Sequence, residues 1–318
     1  MDVKLLASSA RSNEWSKGFE LKLKSFLRRV VAALGIPLLL GSIPAEARTP
    51  QVAHPALWKV SDPDTTIYLF GTIHLLPSDL QWRTAKLDQA VANSQELVVE
   101  TIVDEKDPTK LMSALASIGL AKGLPPLVER VPAAKRPALE AAIKKSGVPE
   151  QAYNGMKTWM AAFLLLGGQF KALGLSAGVE GVLRQSFTTE GKSVGELESN
   201  LEQLSFFNRL PETAQEKLLE GAIEDKKSTD KEYNGMLDAW ARGDVNGIAR
   251  TFDHDLSDSP VLQQTLVRQR NTNWSKWIEK RMGEPGTVLI AVGAGHLAGR
   301  DSVLNMLKRD GYKIRRLQ

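Results

Sequence analysis

Two short stretches constrain this chain more than anything else in it. The apolar run Ile67–Phe70 leads directly into Gly71-Thr72-Ile73-His74, and Thr287–Val292 leads directly into Gly293-Ala294-Gly295-His296. Short runs of β-branched and aliphatic residues bounded by turn residues form strands. A glycine at the strand end lets the backbone turn with no side chain filling the space beyond it. Each histidine is thereby placed at the carboxyl edge of a sheet, where open α/β folds hold their ligand crevices. A neutral imidazole there can ligate a divalent metal or accept a proton near neutral pH. One such motif alone is no more than a hydrogen-bonded histidine at a strand end. Two, at equivalent points of two similar units, make the halves of one site.

The flanking sequence supports that equivalence. At the N-terminal end, strands Leu57–Val60 and Ile67–Phe70 are separated by the turn-rich Ser61-Asp62-Pro63-Asp64, and are followed by a helix over Lys86–Asn93 and a buried strand Glu96–Glu100. At the C-terminal end, strand Thr287–Val292 precedes a helix Ser302–Arg309, closed by Asp310-Gly311, and a strand Tyr312–Leu317. Both ends read strand, Gly-x-x-His, loop, helix, strand. Between them, from about residue 108 to 282, helical periods dominate, including Ala133–Lys145, Met156–Lys171 and Val261–Met282. Ser199 and Glu202 have the spacing of a capping box that starts a helix at Leu201. Gly191-Lys192-Ser193-Val194 reads as a turn entering a short strand, and Tyr233, Met236, Leu237 and Trp240 recur at the spacing of a core-facing helix stripe. The expected fold is α/β, with one mixed sheet built from related N- and C-terminal halves and a mostly helical insertion, residues 108–282, looped out between them.

The first 47 residues have the form of an export leader. Lys22, Lys24, Arg28 and Arg29 precede the apolar run Val30–Leu40, and Ala45-Glu46-Ala47 is a small-x-small cleavage pattern. Both that run and Met160–Leu166 are too short to span a bilayer, so no stable membrane span is expected once the leader is removed. Residues 1–47 carry seven of the 41 basic and four of the 37 acidic side chains, leaving 34 against 33 in residues 48–318. The overall pI of about 9.1 therefore belongs largely to the leader, and no basic face argues for nucleic acid. There is no cysteine, which excludes disulfides, thiolate metal sites and a cysteine nucleophile. A periplasmic or secreted location follows.

Other residues are candidates by position. Glu100 ends the strand that follows the first motif, so it too reaches the carboxyl edge, where it could complete a mixed nitrogen and oxygen metal site, activate water, or stand as an exposed strand-end acid. Arg270 and Asn271 lie in the helix of residues 261–282; arginine can bind a carboxylate or stabilise an oxyanion and asparagine can orient it, although by position alone a solvated helix face accounts for the pair better. Glu198, next to the Ser199 cap, reads as an electrostatic helper of the helix start. His54 and His254 receive no role.

Taken together, Gly71–His74, the strand end Val98-Val99-Glu100-Thr101, Glu198 in Gly195-Glu196-Leu197-Glu198, Arg270-Asn271 and Val292–Gly299 resemble the TraB/GumN family, which is related to the Tiki metalloproteases. The resemblance runs from about Pro55 to the C-terminus, and is most specific at Val292-Gly293-Ala294-Gly295-His296-Leu297-Ala298-Gly299. It implies an α/β core of two related halves with paired Gly-x-x-His motifs and, as in Tiki proteins, divalent-metal-dependent peptide cleavage. Carried over, His74 and His296 are metal ligands or catalytic histidines, Glu100 is the matching acid, and Glu198, Arg270 and Asn271 occupy further family positions. The chain departs from the family pattern where Glu196-Leu197-Glu198 replaces Gly-Leu-Glu and where Gly178-Val179-Glu180 replaces Gly-hydrophobic-Asp.

The resulting expectation is an exported, metal-dependent hydrolase acting on a peptide or protein. A divalent ion (Mn, Co or Zn) would be held by His74, His296, Glu100 and Glu198, while Glu100, Arg270 and Asn271 take part in the chemistry. The alternatives are a periplasmic binding protein using the same crevice, an accessory factor in polysaccharide production, and an interaction scaffold built on the helical middle.

Overall fold

The structure is a computed structural model that describes residues 52–318 apart from 78, 104–106, 108, 173–175, 224–225 and 257–259. The expected leader lies outside the described residues, as does the side chain of His254. Among the described residues there are eight strands: β1 (Leu57–Ser61), β2 (Thr65–Thr72), β3 (Leu75–Leu76), β4 (Glu96–Val99), β5 (Ser176–Ala177), β6 (Ser193–Glu196), β7 (Gly286–Gly293) and β8 (Ile314–Arg316). The helices flanking the sheet units are α1 (Ala85–Asn93) and, at the far end of the chain, α13 (Val303–Arg309). Between them run α2 (Thr109–Gly119), α3 (Arg136–Ser146), α4 (Glu150–Asn154), α5 (Thr158–Ala172), α6 (Val179–Thr189), α7 (Asn200–Asn208), α8 (Glu212–Gly221), α9 (Lys226–Ala241), α10 (Val245–Leu256), α11 (Pro260–Leu262) and α12 (Gln269–Met282).

Six strands form one mixed sheet in the order β6-β4-β7-β2-β1-β8, and β3 pairs separately with β5. β2, β7, β4 and β6 are parallel to one another, while β1 runs against both β2 and β8. β8 therefore points the same way as β7, and each half of the expected pair is a parallel strand–helix–strand unit: β2–α1–β4 and β7–α13–β8. The units interleave. β7 lies between β2 and β4, while β2 and β1 lie between β7 and β8.

Because the chain leaves β2 and β7 in opposite directions along the sheet, right-handed crossovers must put α1 and α13 on opposite faces. The burial pattern agrees. Leu87, Ala90 and Val91 of α1 share a core with Tyr68 and Phe70, whereas Val303, Leu304 and Leu307 of α13 share one with Ile67 and Leu69. Alternate residues of each strand thus face different cores, as the two-residue period requires.

The helical middle completes both layers. Tyr153, Trp159, Phe163, Phe207, Tyr233 and Trp240 enlarge the core on the α1 face, and Trp274, Ile278 and Met282 of α12 cover the α13 face. α9 is pinned to the first histidine corner: Trp240 Nε1 donates to the Gly71 carbonyl (2.7 Å) and Tyr233 Oη to the Leu75 carbonyl (2.9 Å). Two expected helices differ in detail. Residues 133–135 form a 3₁₀ turn before α3, whose Pro137 sits at the helix start where a missing N–H is tolerated. The stretch 261–282 is continuous but passes through a π-helical segment, Gln263–Arg268, before α12.

Candidate functional site

In the parallel pairing of β2 with β7, Thr72 stands directly opposite Gly293. His74 and His296 follow two and three residues later, so both come from the carboxyl ends of adjacent strands. These are the two strands from which the chain departs in opposite directions, the switch point at which open α/β sheets place their crevices. The corners are in close contact: a Cβ on Gly71 would lie 3.1 Å from the Cα of Ala294. A side chain at residue 71 would push one motif off the other.

The carboxyl edge is completed by two acids. Glu100 follows β4, the neighbour of β7, and shares the parity of Val98, so it faces the α12 side of the sheet. Glu198 follows β6, where Leu197 N–H donates to Val99 O and Glu198 N–H to Glu100 O (2.9 Å each), extending the parallel pairing past the strands themselves. The Ser199 capping box is formed as expected, its side chain bonding Glu202 N–H while Glu202 Oε2 accepts from Ser199 N–H at 2.7 Å. That cap fixes the start of α7 and delivers Gln203 to the interior.

Arg270 belongs to the same helix stripe as Trp274, Ile278 and Met282, spaced by four residues. It is 1% exposed. A solvated face is thereby excluded for Arg270 and Asn271, both of which are buried. The guanidinium reaches both carboxylates of the edge and the buried histidine. Nε donates to Glu198 Oε2 (2.9 Å) and Oε1 (3.1 Å), Nη2 lies 2.8 Å from both Glu100 Oε2 and Glu198 Oε2, and Nη1 is 3.2 Å from His296 Nε2. Glu100 also accepts from the Gly293 backbone N–H (2.7 Å) and from Gln203 Nε2 (3.2 Å), and Glu198 from Trp274 Nε1 (3.0 Å). The Trp274 ring lies under the guanidinium at 4.7 Å and beside the His296 ring at 4.4 Å, tilted by 51° to it.

The tautomer of His296 follows from Asn271. Its Nδ2 donates to the Asp301 carbonyl (2.7 Å), which turns Oδ1 toward His296 Nδ1 at 2.6 Å. An amide oxygen only accepts, so Nδ1 carries the proton and Nε2 presents a lone pair to Arg270. Burial, then the positive charges of Arg270 and His74, hold the His296 imidazole well below the usual histidine range, so it is neutral. Glu198 is pushed up by burial and, less strongly, by Glu100, against the pull of Arg270. Burial opposes the charge on Arg270 as well, but Glu198 and Glu100 outweigh it and hold the guanidinium ionised.

His74 sits at the rim and is tied differently. Its Nδ1 lies 2.9 Å from Glu180 Oε1, with the two side chains 13% and 15% exposed. Burial would raise Glu180, but the charge and hydrogen-bonding of His74 prevail and hold it below the usual carboxylate range. Glu180 opens α6, which approaches the His74 corner so closely that a Cβ on Gly178 would lie 2.2 Å from the Ile73 carbonyl oxygen. Glycine is required there by the close approach of two backbones.

The structure thus joins Glu100, Glu198, Arg270, Asn271 and His296 in one buried network, with His74 beside it near enough for its charge to act on His296. It adds Glu180, Gln203 and Trp274, which had no site role in the sequence. Trp274 is spaced one turn from Arg270, Gln203 one turn into a capped helix, and Glu180 lies in the Gly-hydrophobic-acid segment; spacing alone did not separate them from core or surface residues. His54 is exposed, and its backbone N–H donates to Ala241 O.

The expected four-ligand metal site does not fit the side chains as they stand. Both carboxylates face the Arg270 guanidinium, and among the described residues no three His, Asp or Glu side chains are grouped to hold a metal ion. For the same reason Arg270, with all three nitrogens engaged inside the protein, has no surface to offer to a substrate charge.

No solved structure matches the chain. It is 26% identical over 243 residues to the uncharacterized protein YbaP of Escherichia coli (strain K12), covering 76% of this chain and 87% of that one, with the same figures for YbaP of Shigella flexneri. It is 31% identical over 152 residues to a Metalloprotease TIKI homolog of Amphimedon queenslandica, a match covering 40% of this chain and 30% of the relative. The family model of the TraB/PrgY/gumN family matches residues 56–316, a span that includes both histidine corners, both carboxylates and Arg270, and the chain belongs to that family.

Proposed function

We propose that this protein is an exported hydrolase of peptide bonds, working at the carboxyl edge of the sheet where the β2 and β7 corners meet. The observation that carries this is the pair of histidines at the two corners, each positioned from its Nδ1 side: His74 Nδ1 lies 2.9 Å from Glu180 Oε1, and His296 Nδ1 bonds Asn271 Oδ1. His74 is the more exposed, and is the one that exchanges protons with water and substrate. In its neutral form its Nε2 takes a proton from the attacking water and returns it to the leaving amine. Glu180 stabilises the imidazolium formed in between. His296, neutral and buried, belongs with Arg270 and Glu100 to the fixed network that holds the β7 corner from behind. Glu100 is a structural acid of that network, since its oxygens are already engaged by Gly293, Gln203 and Arg270. The name of the Amphimedon relative supports the substrate class, and the leader supports export.

A peptide-library digest with residues 48–318 tests this, run in chelator and again with added Mn²⁺, Co²⁺ or Zn²⁺. Cleavage lost in His74→Ala and reduced in Glu180→Gln is the expected result. Wild type that cleaves nothing under any of these conditions, or a His74→Ala protein as active as wild type, overturns it. Tight retention of a ligand without turnover would establish the binding-protein alternative instead.

A further inference from the structure

We infer that Arg270 is the resident cation of this centre, filling the position and the charge requirement that a divalent ion would have at Glu100 and Glu198. The inference goes beyond the hydrolase proposal and holds whether or not peptide bonds are the substrate.

The donor set around Arg270 is what a hard or borderline cation takes: two carboxylates and a neutral imidazole nitrogen. All three face the guanidinium and meet it at separate nitrogens, Glu100 and Glu198 each 2.8 Å from Nη2 and His296 Nε2 3.2 Å from Nη1. Its plane matches the arrangement, since a forked donor satisfies several acceptors at fixed angles where a spherical ion would draw them inward. The carboxylates have further commitments that a metal would have to break or share, to Gly293 N–H, Gln203 and Trp274 Nε1. Trp274 and Phe206 wall the guanidinium by its faces, at 4.7 and 5.7 Å, a coordination that favours a planar organic cation and gives nothing to a metal. Arg270 cannot be neutralised by losing its proton, so this cation, unlike a bound ion, is not removed by chelation or by dilution.

The test is metal binding, with tryptophan fluorescence as a second readout because Trp274 bonds Glu198 directly. Purified residues 48–318, in wild-type, Glu100→Gln, Glu198→Gln and Arg270→Met forms, are assayed by elemental analysis and titrated with Zn²⁺, Mn²⁺ and Co²⁺. Wild type is expected to hold no ion whose affinity changes by more than about tenfold in Glu100→Gln or Glu198→Gln, a factor of ten being about 1.4 kcal/mol. Arg270→Met is expected to acquire one equivalent of metal, to change the tryptophan emission on binding it, and to lose it again when combined with Glu198→Gln. A stoichiometric metal in wild type that disappears in either glutamine variant overturns the inference. So does a folded Arg270→Met protein that binds nothing. If Arg270→Met fails to fold, the wild-type comparison with the two glutamine variants decides alone. A peptidase that fails the digest but passes this titration leaves the resident-cation assignment standing; the reverse outcome removes the cation and keeps the hydrolase.

Discussion

At the scale of single residues, burial is what makes the centre distinctive. Arg270→Ala leaves two buried carboxylates without their counter-charge, a change of about 3–5 kcal/mol for a broken buried pair, to be read as a lowered urea midpoint. Asn271→Ala removes the acceptor that fixes His296; long-range ¹H–¹⁵N spectra are expected to show a protonated Nδ1 and bare Nε2 in wild type and a mixture of tautomers in the variant. The His296 imidazole also gives the protein a pH dependence whose sign is fixed. Its folded pKa lies well below the ordinary value, so below about pH 6.5 the unfolded chain takes up a proton that the folded chain refuses. Stability from this group is therefore complete above about pH 6.5 and falls as pH falls towards the folded pKa. Denaturation curves between pH 7.5 and 5.5 should show that slope in wild type and lose it in His296→Gln. Both histidines were legible in the sequence because a glycine-led corner after an apolar run sends the residues that follow it to the carboxyl edge of a sheet. Arg270 was not legible by spacing, because an arginine at the end of an apolar stripe reads as the point where the stripe reaches water; only the acids on the facing strand ends reveal that it stays inside.

At the scale of elements, the edge depends on backbone approach and on helix register. Gly178→Ala forces a methyl group against the Ile73 carbonyl, so it is expected to destabilise the fold by about 1–3 kcal/mol and to disturb His74 more than His296 in histidine NMR spectra. The π segment Gln263–Arg268 lies immediately before Arg270, in keeping with the occurrence of π turns at functional positions. A π turn accommodates one residue more than the α ladder needs, so deletion of Thr265 should leave a folded protein with Arg270 in register. Deletion of Asn273 in α12 turns Arg270 by about 100° relative to Trp274, given 3.6 residues per turn, and is expected to give no folded product by circular dichroism. Strands β1, β2, β4 and β7 and helices α1 and α13 follow their apolar periods and caps, and the sequence shows them within a residue or two. The π segment was hidden because it differs from α by one hydrogen-bond step, which leaves the apolar pattern nearly unchanged.

At the scale of the whole molecule, the helical middle cannot be regarded as an attachment to the α/β unit. It supplies Glu198, Gln203, Arg270, Asn271 and Trp274 to the centre, Glu180 to the rim, and most of the large aromatics of the core. Removal of residues 108–282 is expected to abolish folding, and unfolding followed by tryptophan fluorescence and by far-ultraviolet circular dichroism should give one coincident transition. The paired halves were visible from either end of the sequence. Their interleaving was not, because local periodicity carries no information about which strand lies next to which.

That interleaving also governs when the fold can appear. The central partners β2 and β7 are separated by more than two hundred residues, a contact of very long range in sequence, and such contacts slow folding because the chain entropy is lost before they form. A growing chain has no partner for the inner edge of β2 until β7 has emerged. Until β7 is available, β2 has only β1 beside it in the sheet, and the two histidine corners cannot meet.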